Sequence, residues 1–177
     1  MKKILCFLLP SLMVFTAITA NAQDDKSKRP SPPATASETL TGGAVVTIDY
    51  SQPLLKGRTI GKDVEPMKNE LWRAGANEAT TFDFSQDVMV EGMALPKGKY
   101  AFFVFDANDG VHLIFNKKWK TWGAYDYEKN RGEDALQVTV PLMTNDTSVE
   151  KLVYSINKET GKVSLMWGTW KIEFTVK

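Results

Sequence analysis

From Gly43 onward apolar residues recur with a period of two rather than 3.6. Val46, Ile48 and Tyr50 alternate with Thr47 and Asp49, and Phe82 and Phe84 with Thr81 and Asp83. Val88 and Val90 resume the pattern after a polar break, and Leu136, Val138, Val140 and Leu142 repeat it. So do Leu152, Tyr154 and Ile156. Near the C-terminus Trp170, Ile172, Phe174 and Val176 alternate with Lys171, Glu173, Thr175 and Lys177. A period of two sends successive side chains to opposite faces, so these runs predict strands with one buried and one wet face. Tyr100–Phe105 departs from this, being apolar at every position. A strand buried on both faces belongs in the middle of a sheet.

Turn chemistry separates the runs. Asp106-Ala107-Asn108-Asp109-Gly110 joins Tyr100–Phe105 to Val111–Phe115, and Lys158-Glu159-Thr160-Gly161 joins Leu152–Ile156 to Val163–Trp167. Leu95-Pro96-Lys97-Gly98 turns the chain before the central strand, since Pro fixes φ and Gly tolerates φ > 0. The one candidate helical turn lies near Glu65–Leu71. The expectation is an all-β fold: a single antiparallel β-sandwich of roughly seven to ten strands, with jelly-roll and immunoglobulin-like topologies both open.

The N-terminus has a different character. Lys2 and Lys3 precede a largely apolar stretch from Ile4 to Ala20, and Ala20-Asn21-Ala22 supplies a small-residue cleavage site. This is the pattern of a secretory signal over residues 1–22, and it predicts a periplasmic or secreted protein. Pro10, Ser11, Thr16 and Thr19 interrupt the run, which argues against a membrane span. Residues 23–37, with Arg29-Pro30-Ser31-Pro32-Pro33, read as a disordered Pro- and Ser-rich linker, leaving the sandwich domain at 38–177.

Composition narrows the chemistry. Removing residues 1–22 takes the only Cys, Cys6, and leaves 20 Lys and Arg against 21 Asp and Glu, a formal charge of −1. That balance argues against nucleic-acid binding, which needs cations to neutralise phosphates. A single His, His112, and no thiol rule out His-cluster and thiolate metal sites and Cys nucleophiles, and no cofactor or metal is expected. Asp106–Gly110 lacks the distal bidentate Glu of a helical calcium loop and fits a hairpin turn. Oligomeric state is not written in the sequence.

The segment with the densest chemistry is Leu71-Trp72-Arg73-Ala74-Gly75-Ala76-Asn77-Glu78-Ala79-Thr80. Arg73 offers a planar fork of five donors, Asn77 and Glu78 offer acceptors, and Trp72 offers a flat apolar face. Two readings are open: a ligand pocket anchored by Arg73, or an Arg73–Glu78 ion pair that ties a loop to the sandwich. A second cluster holds Trp119, Trp122, Tyr125 and Tyr127 among Lys117, Lys118 and Lys120. Its aromatics either stack on a polar ligand or close one end of the core. His112 faces away from Val111 and Leu113, and would need a carboxylate such as Glu78 or Asp126 beside it to act as a base.

Gly57-Arg58, the Leu71–Thr80 segment, Leu95-Pro96-x-Gly98-x-Tyr100, Ile114-Phe115-Asn116-Lys117 and Trp122-Gly123-x-Tyr125-x-Tyr127 together resemble the domain of unknown function 2911 family, secreted bacterial proteins. The resemblance runs from about Ser31 to Lys177. It implies one extracytoplasmic domain and supplies no activity. The functional expectation is therefore non-catalytic binding of a polar small molecule or glycan. The ligand candidates are Trp72, Arg73, Asn77, Glu78, His112, Trp119, Trp122 and Tyr125. The alternatives are a carboxylate-dependent hydrolase using Glu78, or a structural, partner-docking envelope domain.

Overall fold

The structure, a computed structural model, describes residues 25–177, so the expected signal segment lies outside the described residues. Eleven strands follow in chain order: β1 (Pro33–Thr39), β2 (Val45–Ser51), β3 (Leu71–Trp72), β4 (Thr80–Phe84), β5 (Val88–Val90) and β6 (Met93–Leu95), then β7 (Gly98–Ala107), β8 (Gly110–Asn116), β9 (Asp134–Val140), β10 (Leu142–Ile156) and β11 (Lys162–Thr175). One short helix, α1 (Tyr127–Asn130), precedes β9. The large sheet runs β1-β2-β4-β7-β8-β9, antiparallel throughout, with β3 also on β7. The hairpin β10–β11 packs against it, and the small hairpin β5–β6 extends that second layer through a Val90–Val176 bridge. The fold is an open, all-β, sandwich-like arrangement. Its strand count exceeds the expected range because β3, β5 and β6 are separate pieces of two or three residues.

Alternation dictates the core. Ile48, Phe82, Phe102, Val104, Leu113, Phe115 and Val138 point from the large sheet toward Leu152, Tyr154, Leu165, Ile172 and Phe174 of the hairpin. The rings interlock, with Phe82 and Phe102 centroids 4.6 Å apart and Phe102 and Phe115 5.1 Å apart. Strand β7 is central, as its two apolar faces require. Its outer face, with Ala101 and Phe103, joins Ile114 of β8 under Ala79, Tyr127 and the 117–133 segment to form a second, smaller core.

Several expectations change. The run Leu136–Leu142 is not one strand: Pro141 ends β9, the chain crosses to the other layer, and Leu142 is 40% exposed. A Pro lacks the N–H that a ladder needs, so it marks the crossing. No helix forms at Glu65–Leu71, where Leu71 instead enters β3. Residues 33–37 are not tether but most of β1, paired from Pro33↔Ser51 to Thr39↔Val45. Ala34 and Ala36 pack on the core while Thr35 and Ser37 face out. Small side chains hid this alternation, and a Pro at the first residue of an edge strand removes no ladder bond.

Candidate functional site

The Leu71–Thr80 segment is an excursion in a strand edge. Trp72 pairs with Val104 and Thr80 with Phe102 on the same strand, β7. Seven residues, 73–79, therefore loop out where one residue opposite Phe103 would suffice, and Thr80 N–H donating to the Arg73 carbonyl closes the neck at 3.3 Å. Inside the loop Trp72 Nε1 donates to the Gly75 carbonyl at 3.1 Å, and the Thr80 and Tyr154 hydroxyls both donate to the Ala74 carbonyl at 2.9 and 2.8 Å. Gly75 is compulsory: a Cβ there would lie 2.7 Å from Thr80 Oγ1. The loop's far side knits to the second aromatic segment, with Ala79 N–H donating to the Thr121 carbonyl, Gly123 N–H to the Asn77 carbonyl, and a Glu78–Trp122 bridge.

Where this knot meets the sheet, a concavity of about 560 Å³ opens on the outer face. Its floor follows the register. Thr35 of β1 lies opposite Asp49 of β2, which lies opposite Thr81 of β4, and Thr81 lies opposite Ala101 of β7. Cover from the 117–133 segment rests on the apolar outer positions of β7 and β8; where those positions turn polar, the groove remains. Trp119, Lys120, Thr121 and Trp122 make one wall, and Lys26 and Glu78 close an end. Asp49 accepts from Lys99 Nζ at 2.9 Å and from the Thr35 hydroxyl at 2.9 Å. Burial pushes the Asp49 carboxyl up, but those two bonds outweigh it and hold it below its ordinary value. Lys99 Nζ and Lys120 Nζ lie 5.2 and 4.9 Å from the Trp119 ring centroid. Thr81 is buried, and the hydroxyls of Thr81 and Thr121 have no hydrogen-bond partner among the described residues.

Glu78 does not pair with Arg73. It accepts from Lys26 Nζ at 2.8 Å and from Arg29 Nη1 at 3.0 and 3.1 Å. Burial alone would raise its pKa; the Lys26 bond, a backbone N–H and the Arg29 bond reverse that and bring it to about 2. A carboxylate so acidic is a poor proton donor and a poor base near neutrality. Arg73 instead donates from Nη1 to the Asn77 carbonyl at 3.1 Å, and its Nη2 stands 3.5 Å from Glu65, with the Tyr125 ring 5.7 Å away.

The eight candidate residues thus divide. Glu78, Trp119 and Trp122 line the groove. Asn77, at φ 61°, shapes the loop and donates to the Ser31 carbonyl at 2.9 Å. Trp72 is a core residue stacked on Trp167 at 5.9 Å. Tyr125, 76% exposed, borders a neighbouring hollow with Arg73. His112 is held by Asp109 and Gln137 at 2.9 and 3.0 Å, outside the groove's lining. Groove residues that sequence reasoning missed are Thr35, Asp49, Thr81, Lys99, Lys120 and Thr121, together with Lys26 from the supposed tether. For Thr35, Asp49, Thr81 and Lys99 the one signal was polarity at outward strand positions, which any solvated face shares; Lys120 and Thr121 follow β8 in the 117–133 segment, and Lys26 sits in a short 3-10 turn.

Among the described residues no three His, Cys, Asp or Glu side chains converge at metal-binding spacing, and no helix is long and apolar enough to cross a membrane. Asp106 and Asp109 of the hairpin turn are occupied by Lys68 and His112.

A family model described as "Protein of unknown function (DUF2911)" matches residues 31–176. The chain belongs to the domain of unknown function 2911 family. No curated protein and no solved structure matches it. The match to the 2911 family begins at Ser31, the residue whose carbonyl holds Asn77. Lys26 and Arg29, which neutralise Glu78, precede it.

Proposed function

We propose that this 2911-family protein is an exported binding module whose outer-face groove holds a hydroxyl-bearing polar small molecule or glycan end without turning it over. The observation that carries this reading is the pair of buried, unpartnered hydroxyls of Thr81 and Thr121 on the groove's lining. Buried polar groups in folded proteins are nearly always satisfied, so two orphans in one concavity suit a ligand that donates and accepts hydrogen bonds. The Trp119 and Trp122 wall and the fixed Asp49–Lys99 pair supply the apolar surface and the few oriented polar groups such sites combine. Export rests on the Lys2–Ala22 pattern. The hydrolase reading lacks comparable support, because Glu78 is committed to two cations.

The test is a thermal-shift and calorimetric screen of monosaccharides, oligosaccharides and sugar acids on the purified protein, repeated with Thr81→Val. Valine keeps the shape and removes the orphan hydroxyl. The reading expects stability unchanged or raised and binding of the hit lost. A hit that binds Thr81→Val and Trp122→Ala as well as the parent protein refutes the placement, and product release from the hit refutes the absence of turnover. Cell fractionation tests the export.

A further inference from the structure

Away from that groove a second concavity, of about 390 Å³, is lined by Arg58, Glu65, Met67, Trp72, Arg73 and Trp167 among others. Two of these residues carry buried N–H donors with no acceptor among the described residues: Arg73 at Nε and Trp167 at Nε1. Their neighbours are satisfied. Trp72, stacked on Trp167, spends its Nε1 on the Gly75 carbonyl, and Arg73 spends Nη1 on the Asn77 carbonyl. An unpaired buried donor is rare enough in native proteins to need a reason.

The geometry of the guanidinium supplies one. With Nη1 committed, the remaining edge of the fork is Nε together with Nη2, the edge that takes a carboxylate side-on with two parallel bonds. Among the described residues Nη2 faces only Glu65, at 3.5 Å, well beyond the 2.7–2.9 Å of a charge-assisted bond. Glu65 is the freer partner, its side chain 46% exposed against 14% for Arg73. The cleft's charges are balanced. Arg58 and Arg73 face Asp63 and Glu65, and both Arg58 and Asp63 are occupied: Arg58 donates to the Leu54 and Leu55 carbonyls, and Asp63 accepts from Thr59 N–H. The carbonyls leave the charge of Arg58 in place, so with the half-exposed Glu65 swung into solvent the lining carries one net positive charge, which a single carboxylate balances and a second would exceed. Pro53, Val64, Met67 and the two Trp rings give the rest of the lining an apolar character.

We propose that this concavity is a binding site for a small monocarboxylate with a compact apolar body. The ligand's carboxylate takes the Nε and Nη2 edge of Arg73 in place of Glu65, with Trp167 Nε1 a further donor on the same lining. The site is separate from the groove of the proposed function, and neither claim depends on the other.

The experiment is a calorimetric and NMR titration of the purified protein with benzoate, with neutral benzamide and inorganic phosphate as controls. Benzoate is expected to bind, and benzamide and phosphate to bind at least about tenfold more weakly, since the charged fork is lost to one and the second charge of the other exceeds the lining's one net positive charge. Glu65→Gln removes the internal competitor and should tighten benzoate several-fold, while Arg73→Lys keeps the charge, loses the fork and should abolish binding. Trp167→Phe keeps the ring and deletes the orphan donor, so it should fold at least as stably as the parent and bind benzoate more weakly. Should Arg73→Lys fail to fold, the other two variants still decide. Benzamide binding as well as benzoate, Glu65→Gln binding no tighter, or Trp167→Phe binding unchanged overturns the site. Trp122→Ala and Thr81→Val should leave benzoate untouched, which keeps this test apart from that of the groove.

Discussion

The two faces of the large sheet are built by different rules. The inner face is apolar at most alternate positions from β2 to β9, Thr80 and Asp106 being the polar ones, and is closed by the β10–β11 hairpin with β5–β6 beside it. The outer face is apolar on β7, β8 and at Leu71 of β3, and is closed there by the segment 117–133, with Tyr127 against Phe103 and Trp119 packed beside them. Over β1, β2 and β4 the outer positions are Thr35, Asp49 and Thr81, and the cover stops. The inner face is thus a continuous core with the Trp72 and Trp167 concavity at its edge, whereas the outer face is half core and half groove. The boundary between its halves is where function has room.

The sharpest way to break that comparison is to damage the inner core. Phe82 is fully buried and touches the rings of Phe84, Phe102, Phe115, Tyr154 and Phe174. Phe82→Ala is expected to cost about 3–5 kcal/mol, read as the shift in urea midpoint at constant slope. A loss below about 1 kcal/mol would mean that the inner face is not the main store of stability.

Next in size is the anchor of the outer cover. The Tyr127 hydroxyl donates to Asp134 at 2.7 Å, and Asp134 also accepts from Asn116 Nδ2 at 2.7 Å. Burial, then the bond to Asp134, pushes that hydroxyl's pKa well up, so it stays protonated and donating throughout the working range. Tyr127→Phe should cost about 1.5–3 kcal/mol, the worth of a hydrogen bond to a charged group. Hydrogen exchange should localise the loosening to 117–133 and leave β10 and β11 protected.

Those two faces were not equally legible in the sequence. Alternation at Val46–Tyr50, Phe82–Phe84 and Trp170–Val176, with the turns at Asp106–Gly110 and Lys158–Gly161, was enough for the strands and hairpins, because local pattern and buried face coincide there. The doubly apolar Tyr100–Phe105 even announced the outer core. What closes that core did not show. Trp119, Trp122 and Tyr127 stand within nine residues, yet one walls a groove beneath two lysines, one is half exposed and one is buried. Glu78 likewise stands five residues from Arg73, but the loop turns at Asn77 and hands Glu78 to Lys26 and Arg29, about fifty residues upstream. Local periodicity carries no information about such long-range partners.

The Glu78 cluster sharpens the comparison through pH. With its pKa held near 2 in the fold against an ordinary 4.5, ionised Glu78 stabilises the protein fully above about pH 4.5, and that contribution is lost as pH falls toward 2. The side chain is 40% exposed, so solvent screening limits the contribution to about 1 kcal/mol or less. Glu78→Gln should lower stability by about that amount at pH 7 and converge on the parent near pH 2, flattening the profile between pH 4.5 and 2. An unchanged acid limb would mean that Lys26 and Arg29 leave Glu78 in solution.

The smallest stability effect is expected where the functional effect is largest. Trp122 is 52% exposed, with the Arg29 guanidinium 5.8 Å from its ring centroid. Exposed contacts of this kind contribute about 0.5 kcal/mol, so Trp122→Ala should leave the urea midpoint almost where it was. Its backbone bridge to Glu78 survives the substitution, and the Ala79–Thr121 and Gly123–Asn77 bonds on either side keep the wall in register. If the groove is a binding site, this nearly silent variant loses ligand while Phe82→Ala, at a denaturant concentration where it is still folded, retains it. If Trp122→Ala unfolds the outer cover instead, the ring belongs to the architecture, and the division between core and groove must be drawn nearer to Trp119.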